Sequence, residues 1–101
     1  MNASNSPLKF SPGEIAATPD ALEAIGASGQ TFEFFLERHL HADWGDVDEE
    51  DWKLNDAAVV DGSRILSVYS TLKGVKIWII TEANDEEGQR TATTILLPDN
   101  Y

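Results

Sequence analysis

The chain contains no cysteine, which excludes disulfide bonds and thiolate metal sites. A reducing, bacterial-type cytoplasm is therefore the expected compartment. No apolar run approaches the roughly 20 residues that a membrane span needs. Residues 1–7 have neither the basic start nor the apolar core of a signal peptide. We expect a soluble, unexported protein that does not act at a membrane.

Positive charge is scarce, because seven Lys and Arg face eighteen Asp and Glu and the formal net charge is -11. A field of that sign repels nucleic acid and anionic membranes. It attracts a basic protein surface, including one that normally holds DNA or RNA. Acidity also serves plain solubility, so both explanations of the charge stay open.

Motifs for nucleophilic catalysis are missing as well. The sequence has no Gly-x-Ser-x-Gly elbow and no phosphate-binding glycine-rich loop. At 101 residues, the chain has room for one modest core and little room for a deep catalytic pocket. We therefore predict a binding role, no catalytic residues and no cofactor. We expect residues 1–8 to be a disordered lead and residues 9–101 to form a single domain.

A β-branched and aromatic run at residues 75–82 predicts the central strand of a small sheet. Side chains alternate along a strand, so Ile77 and Ile79 point to one face while Trp78 and Ile80 point to the other. Such a strand needs cover on both faces, and we expect Trp78 in the core. Similar runs at residues 64–72 and 91–97 predict two neighbouring strands, the first joined to the central strand by a tight turn at residues 73–74.

Helix signals precede these strands. Thr18 is expected to cap a first helix in which Leu22 and Ile25 face the core. Thr31 is expected to cap a second helix with an apolar stripe formed by Phe32, Phe35, Leu36 and Leu40. The predicted fold class is α+β: about three N-terminal helices packed on a three-stranded antiparallel meander. An extra N-terminal edge strand at residues 10–17 is left open.

The third predicted helix begins after Asp48, runs to about Val60 and ends at Gly62. Glu49, Glu50 and Asp51 lie in its first turn, where carboxylates favour the positive end of the helix dipole. The acidic run also fits no register of a calcium-binding EF-hand loop.

The densest polar cluster lies at residues 38–46, where two histidines precede carboxylates that together would suit Zn²⁺ or Mn²⁺. His39 and His41 point about 200° apart on a helix, which does not suit a shared metal ion. We therefore predict no metal site. Arg38 and His39 are instead expected to complement the negative end of the second helix.

Trp44 lies in a turn of glycine and acidic residues and has two possible roles, an interface anchor or local packing. An aromatic side chain surrounded by carboxylates would suit a basic partner. We therefore predict a partner-binding face formed by Asp43, Trp44, Asp46, Asp48, Glu49 and Asp51.

Two alternatives belong to other classes of function. A small hydrolase or nuclease would use His39, Asp43, Asp46, Glu82 and Arg90, with an acid–base pair of His39 and Glu82 as its simplest form. A homodimer would cover a bare sheet face or edge with a second copy of the chain.

Two motifs stand out, Asp-Trp-Gly-Asp at residues 43–46 and Trp-Ile-Ile-Thr-Glu-Ala at residues 78–83. Further positions accompany them: Arg38, His39, Asp48, Asp51, Arg90 and residues 93–98. In these positions the chain resembles a group of short bacterial proteins described as plasmid-related, which tend to occur on mobile elements. The resemblance covers roughly residues 10–101 and implies no particular activity. Together with the charge, it suggests an inhibitor or modulator of a nucleic-acid-binding defence protein encoded by the host or by a mobile element.

Overall fold

The computed structural model describes residues 7–101, which form three α-helices, four β-strands and a short 3-10 helix. The elements are β1 Glu14–Ala17, α1 Pro19–Ala27, α2 Phe32–Leu40, α3 Glu49–Asp61, β2 Ile65–Ser70, β3 Lys76–Thr81, β4 Ala92–Leu96 and the 3-10 helix Pro98–Asn100. Residues 1–6 of the predicted disordered lead, residues 1–8, lie outside the described residues. In residues 7–101, no helix has the length and apolar character needed to cross a membrane.

The strands form one sheet in the order β1-β4-β3-β2. The β2–β3 and β3–β4 pairs are antiparallel, with Ser67 opposite Ile79 and Ile79 opposite Ile95. The α+β class is therefore confirmed, and so is the central position of the strand containing Ile79 among the three predicted strands. The three predicted strands form the expected antiparallel meander, and the N-terminal edge strand that the sequence left open is present as β1. Because β1 pairs parallel to β4, the sheet is four-stranded and mixed instead of three-stranded and antiparallel.

Gly13 explains how β1 reaches the edge of β4. Its φ is +65°, and a Cβ at this position would lie 2.5 Å from the backbone carbon of Thr91. Only glycine permits so close an approach in this conformation. Glu14 N then donates a hydrogen bond to Thr91 O at 3.0 Å, and the parallel pairing begins.

Most helix ends follow their sequence signals, although Thr31, at the start of α2, makes no capping hydrogen bond through its side chain. Thr18 Oγ1 accepts a hydrogen bond from Ala21 N at 3.1 Å, and a carboxylate oxygen of Asp48 accepts one from Asp51 N at 2.8 Å. Gly62 ends α3 with a φ of +85°. These predicted ends are confirmed, and α3 extends one residue beyond the expected Val60.

The core lies between the helices and one face of the sheet. One cluster joins α1 and α2 to β2, β3 and β4 through Ala21, Ile25, Phe35, Tyr69, Ile77, Ile79 and Ile95. A second joins α2 and α3 to β2 through Phe10, Leu36, Leu40, Trp44, Ala58 and Ile65. Leu22 was expected in the core but is 44% exposed, because α1 turns Ala21 and Ile25 inward and leaves Leu22 at the edge of the buried side.

The other face of the sheet carries Trp78, Ile80 and Leu96, which alternate with the core residues of β3 and β4. Ile80 and Leu96 are buried, whereas Trp78 is only half-buried, so the core role expected for Trp78 is wrong. The ring of Tyr101 packs edge-on against Trp78 at a centroid distance of 5.7 Å. The C-terminal residue thus covers part of this outer face.

Candidate functional site

The turn between α2 and α3 lies against the edge of β2. Trp44 O accepts a hydrogen bond from Val68 N at 3.1 Å, and Asp46 N donates one to Val68 O at 2.6 Å. Gly45 lies between them with a φ of +75°, and a Cβ at this position would collide with Val68 O. Glycine is therefore required at the centre of the Asp-Trp-Gly-Asp motif.

Trp44 is completely buried beneath this turn. Its ring packs against Phe10 and His39 at centroid distances of 6.1 and 5.8 Å, and its Nε1 donates a hydrogen bond to Asp56 at 2.9 Å. Of the two roles left open for Trp44, the structure supports local packing. Its place in the predicted partner-binding face is wrong, because none of its surface is exposed to a partner.

Asp43 is half-buried and bound within the chain. Arg38 Nε donates a hydrogen bond to Asp43 Oδ2 at 2.8 Å. This bond lowers the pKa of Asp43 and raises the pKa of Arg38. The guanidinium also lies over the ring of Tyr69, 4.6 Å from its centroid. Because its charge is matched internally, Asp43 offers less to a partner than a solvated carboxylate would.

The remaining residues of the predicted face are exposed, and so is Glu50 between them. We call this group the acidic surface: Asp46, Asp48, Glu49, Glu50 and Asp51. Lys76 Nζ lies 3.6 Å from Asp46, and Lys53 Nζ lies 3.6 Å from Glu49. In both pairs each side chain is more than half exposed, and such pairs contribute little because water screens them. The acidic surface therefore keeps most of its negative charge.

Leu54, three residues after Asp51 on α3, adds an exposed apolar side chain to these carboxylates and is 61% exposed. Val60, near the other end of α3, is 89% exposed. On the buried side, Asn55 Nδ2 donates to Leu66 O at 2.8 Å and Asn55 Oδ1 accepts from Leu66 N at 3.3 Å. These two bonds fix the rotation of α3 against β2, so the same carboxylates and aliphatic groups face outward in a defined arrangement.

His39 lies at the centre of a buried chain of hydrogen bonds that we call the His39 network. Its Nδ1 lies 2.5 Å from Ser67 Oγ, and its Nε2 lies 2.8 Å from Thr81 Oγ1. Thr81 Oγ1 lies 2.7 Å from Thr93 Oγ1, which donates to Pro12 O at 2.7 Å. Since a carbonyl only accepts, Thr81 must donate to Thr93, and Nε2–H of His39 must donate to Thr81. The lone pair on Nδ1 then accepts a hydrogen bond from the Ser67 hydroxyl.

Burial, together with the nearby charge of Arg90, lowers the pKa of His39 to about 3. The imidazole is thus neutral at neutral pH. The expectation that His39 complements the negative end of α2 as a cation is therefore wrong. The network engages both ring nitrogens with hydroxyl groups, so the predicted acid–base pair of His39 and Glu82 is not formed.

A serine hydroxyl that donates to an imidazole is also the first element of an activated nucleophile. Ser67 and His39 are, however, completely buried. A substrate has no route to the Ser67 hydroxyl in this conformation. In this structure the network holds α2 against β2 and β3.

Arg90 is buried and joins three parts of the backbone. Its Nη2 donates to Ala58 O at 2.8 Å, and its Nη1 donates to Ser63 O at 2.8 Å and Glu82 O at 3.0 Å. Burial lowers the pKa of Arg90. These bonds hold the end of α3 against the connection between β3 and β4. Arg90 therefore has a structural role here, in place of the catalytic role considered from the sequence.

The five residues of the hydrolase alternative do not meet at one accessible position. His39 is enclosed by hydroxyls, Asp43 is paired with Arg38, and Arg90 binds backbone carbonyls. His41 caps α2, and its Nδ1 lies 2.8 Å from Glu37 O. Within residues 7–101, no three His, Asp or Glu side chains are grouped so that they could hold a metal ion.

Ser67, Thr81 and Thr93 were missed from the sequence, although a signal was present. Each occupies an inward position two residues from an isoleucine of the same strand, where the alternating pattern demands an apolar side chain. Polar residues at three inward positions indicate a shared buried partner. The sequence did not reveal that this partner is His39.

Comparison of the chain with family models, curated proteins and solved structures found no match. The resemblance to plasmid-related proteins thus stays a prediction. The function has to be argued from the geometry and charge of the chain itself.

Proposed function

We propose that the chain is a small acidic protein-interaction module that binds its partner through the acidic surface and the outer side of α3. The exposure of the carboxylates is the observation that supports this best. Five of the six residues from 46 to 51 are acidic, and all five are exposed. Their cationic neighbours are two solvated lysines, so a partner with several fixed positive charges would find most of this charge available.

The chemistry of the partner follows from this surface. Fixed carboxylates attract Lys and Arg, while Leu54 and Val60 offer apolar area that a purely electrostatic contact would leave unused. A basic protein that normally binds nucleic acid presents both cationic and apolar side chains. More specifically, we propose that the chain is an inhibitor or modulator of a nucleic-acid-binding defence protein. Its carboxylates would occupy the positions that nucleic-acid phosphates take on that protein.

A pull-down tests this proposal. The tagged protein is used to capture its partner from a host extract at low and at high salt. The Debye length falls from about 8 Å at 0.15 M ionic strength to about 3 Å at 1 M. We expect a basic protein to be retained at the lower salt concentration and lost at the higher one. Retention that is indifferent to salt would contradict an electrostatic contact.

A homodimer is the second candidate, and the outer face of the sheet is the observation that favours it. Trp78 is only half-buried there, and Tyr101 beside it is 71% exposed. Salt separates the two candidates. Two copies with a formal charge of -11 each repel one another, so salt strengthens self-association but weakens binding to a basic partner. Sedimentation equilibrium at two salt concentrations reports the difference.

A further inference from the structure

A cleft of about 570 Å³ opens between the N-terminal segment, α3 and the connection from β3 to β4. Its size lies in the range of about 300 to 1,000 Å³ that is typical of small-molecule sites. Its charge differs from that of the acidic surface, because its lining includes two cations, Lys9 and Arg90, and no carboxylate.

The other cavities of the described chain show the contrast. The cleft below α3 contains Asp51, the one beside α2 contains Glu33, Glu37 and Asp43, and two smaller ones contain Asp99 or Asp20. Two of these linings carry a net negative charge, and the other two pair one carboxylate with one cation, Arg64 or Lys76. Among these five cavities, the cleft with Lys9 and Arg90 is the one whose lining carries a net positive charge.

Arg90 still has hydrogen-bonding capacity to offer a ligand. A guanidinium carries five N–H groups, and the contacts to Ala58 O, Ser63 O and Glu82 O use three of them. Nε has no hydrogen-bond partner among these contacts and is absent from the buried unpaired polar atoms of residues 7–101, so it reaches solvent. Arg90 is only 8% exposed, but it lines the cleft, and Nε is therefore the donor that it can offer a ligand there.

Neither cation of the cleft forms an ion pair with a carboxylate within residues 7–101. Carboxylates are near, at residues 85–87, but none lines the cleft. Asp85 is turned toward the backbone, where its Oδ1 accepts from Glu87 N at 2.9 Å and Gln89 N at 3.0 Å. The positive charge of Arg90 is held by backbone carbonyls and is left open on the cleft side.

The rest of the lining suits the body of an organic ligand. Ser11, Asn84 and Gln89 contribute neutral hydrogen-bonding groups, and Phe10 contributes an aromatic surface. The Phe10 ring also lies 5.4 Å from the guanidinium carbon of Arg90 and holds it in place from one side. A doubly charged oxyanion matches the two cations.

We propose that this cleft binds a small phosphate monoester, with Arg90 and Lys9 on the phosphate and Phe10 beside the organic part. This site is independent of the acidic surface and of the proposed interaction with a basic protein. Arg90 supplies a charged donor held in place by its backbone bonds, whereas Lys9 is exposed and contacts the ligand as a point charge.

Titration of the ¹⁵N-labelled full chain with inorganic phosphate and with a nucleoside 5′-monophosphate tests the site at constant ionic strength. We expect saturable shifts at residues 9–13 and 84–90, with a Kd on the order of 1 mM or below. Acetate at the same ionic strength should not reproduce them. The nucleotide should bind more tightly than phosphate because it also contacts Phe10.

Lys9→Gln is the decisive variant, because Lys9 is exposed and Arg90 cannot be changed without loss of its three backbone bonds. Loss of a charged hydrogen-bond donor should weaken binding about tenfold. Lys73→Gln, a matched change in the exposed turn between β2 and β3, should leave the Kd unchanged. Three results would overturn the proposal: no saturable shift with either phosphate compound, equal shifts with acetate, or equal affinity of Lys9→Gln and the unchanged chain.

Discussion

At the scale of single residues, one backbone carbonyl determines which atom donates in each hydrogen bond of the His39 network. Pro12 O can only accept, so the donor direction passes from Thr93 back through Thr81 to Nε2 of His39. The network thereby ties the N-terminal segment, α2 and the strands into one arrangement. A buried polar chain of this kind is stabilising only while each member keeps its partner.

The network makes stability depend on pH through His39. Its pKa is about 3 in the folded chain and 6.5 in the unfolded chain, so the unfolded state binds the additional proton as pH falls below 6.5. We expect the free energy of unfolding to fall by about 1 kcal/mol between about pH 7 and pH 5.5 from this residue alone. This window stays above the sequence pI of about 4.3. Urea unfolding at the two pH values measures it.

His39→Gln should be less stable at neutral pH but should lose this part of the pH dependence. His41→Gln is the matched variant and should keep it, because His39 is unchanged. An identical pH slope for His39→Gln and the unchanged chain would contradict a depressed pKa at His39.

A second prediction concerns Thr93, which is completely buried. Thr93→Val keeps the shape of the side chain but leaves Pro12 O and the Thr81 hydroxyl without this partner. We expect a loss of about 1 to 3 kcal/mol in the free energy of unfolding. Thr94→Val, the next residue on the outer face of β4, should change it by less than about 0.5 kcal/mol. Equal changes in the free energy of unfolding for the two variants, measured by chemical denaturation, would show that the His39 network contributes little to stability.

At the scale of elements, local chemistry predicted most boundaries. Thr18, Asp48 and Gly62 act at helix ends through side-chain oxygens or a left-handed backbone, and both are readable from a few neighbouring residues. The meander of β2, β3 and β4 also follows from local runs and turns. The inward direction of Ile77 and Ile79 was predicted for the same reason, since strand alternation is a local rule.

The features that sequence reasoning missed depend on contacts between distant segments. The parallel pairing of β1 with β4 joins residues 14–17 to residues 92–95, and no local pattern specifies that partner. Trp44 could equally face a partner or the core until Phe10 and Asp56 were placed beside it. Four of the five residues of the acidic surface belong to the face predicted from the sequence, and Glu50 does not. The burial of Trp44, which was placed in that face, was not predicted.

Two glycines provide a matched test of the helix ends. Gly62 has a φ of +85°, and a Cβ there would meet the side chain of Asn84, so Gly62→Ala should cost about 1 to 2 kcal/mol. Gly26 lies inside α1 with open space around it, and Gly26→Ala should stabilise the fold by about 0.5 to 1 kcal/mol. Thermal or chemical unfolding of both variants measures the difference. Destabilisation by both would contradict these backbone assignments.

At the scale of the whole molecule, the formal net charge of -11 acts on the folded chain as self-repulsion. Salt screens this repulsion, so we expect the melting temperature to rise by a few degrees between about 0.05 and 0.5 M sodium chloride. Differential scanning calorimetry at neutral pH measures the change. A constant or falling melting temperature would show that internal ion pairs outweigh the repulsion.

A matched pair of triple variants tests whether the negative charge acts in partner binding at the acidic surface. Asp46→Asn/Asp48→Asn/Asp51→Asn neutralises the acidic surface, and Asn still caps a helix at residue 48. Glu23→Gln/Glu86→Gln/Glu87→Gln removes the same number of exposed charges elsewhere.

The measurement is quantitative capture of host proteins by the tagged chain and by both variants at low salt. We expect one basic protein that the unchanged chain and the second variant retain equally. The first variant should retain it at least about tenfold less well. Equal capture by both variants, or no protein captured by the unchanged chain, would contradict the claim that the acidic surface recognises a basic partner.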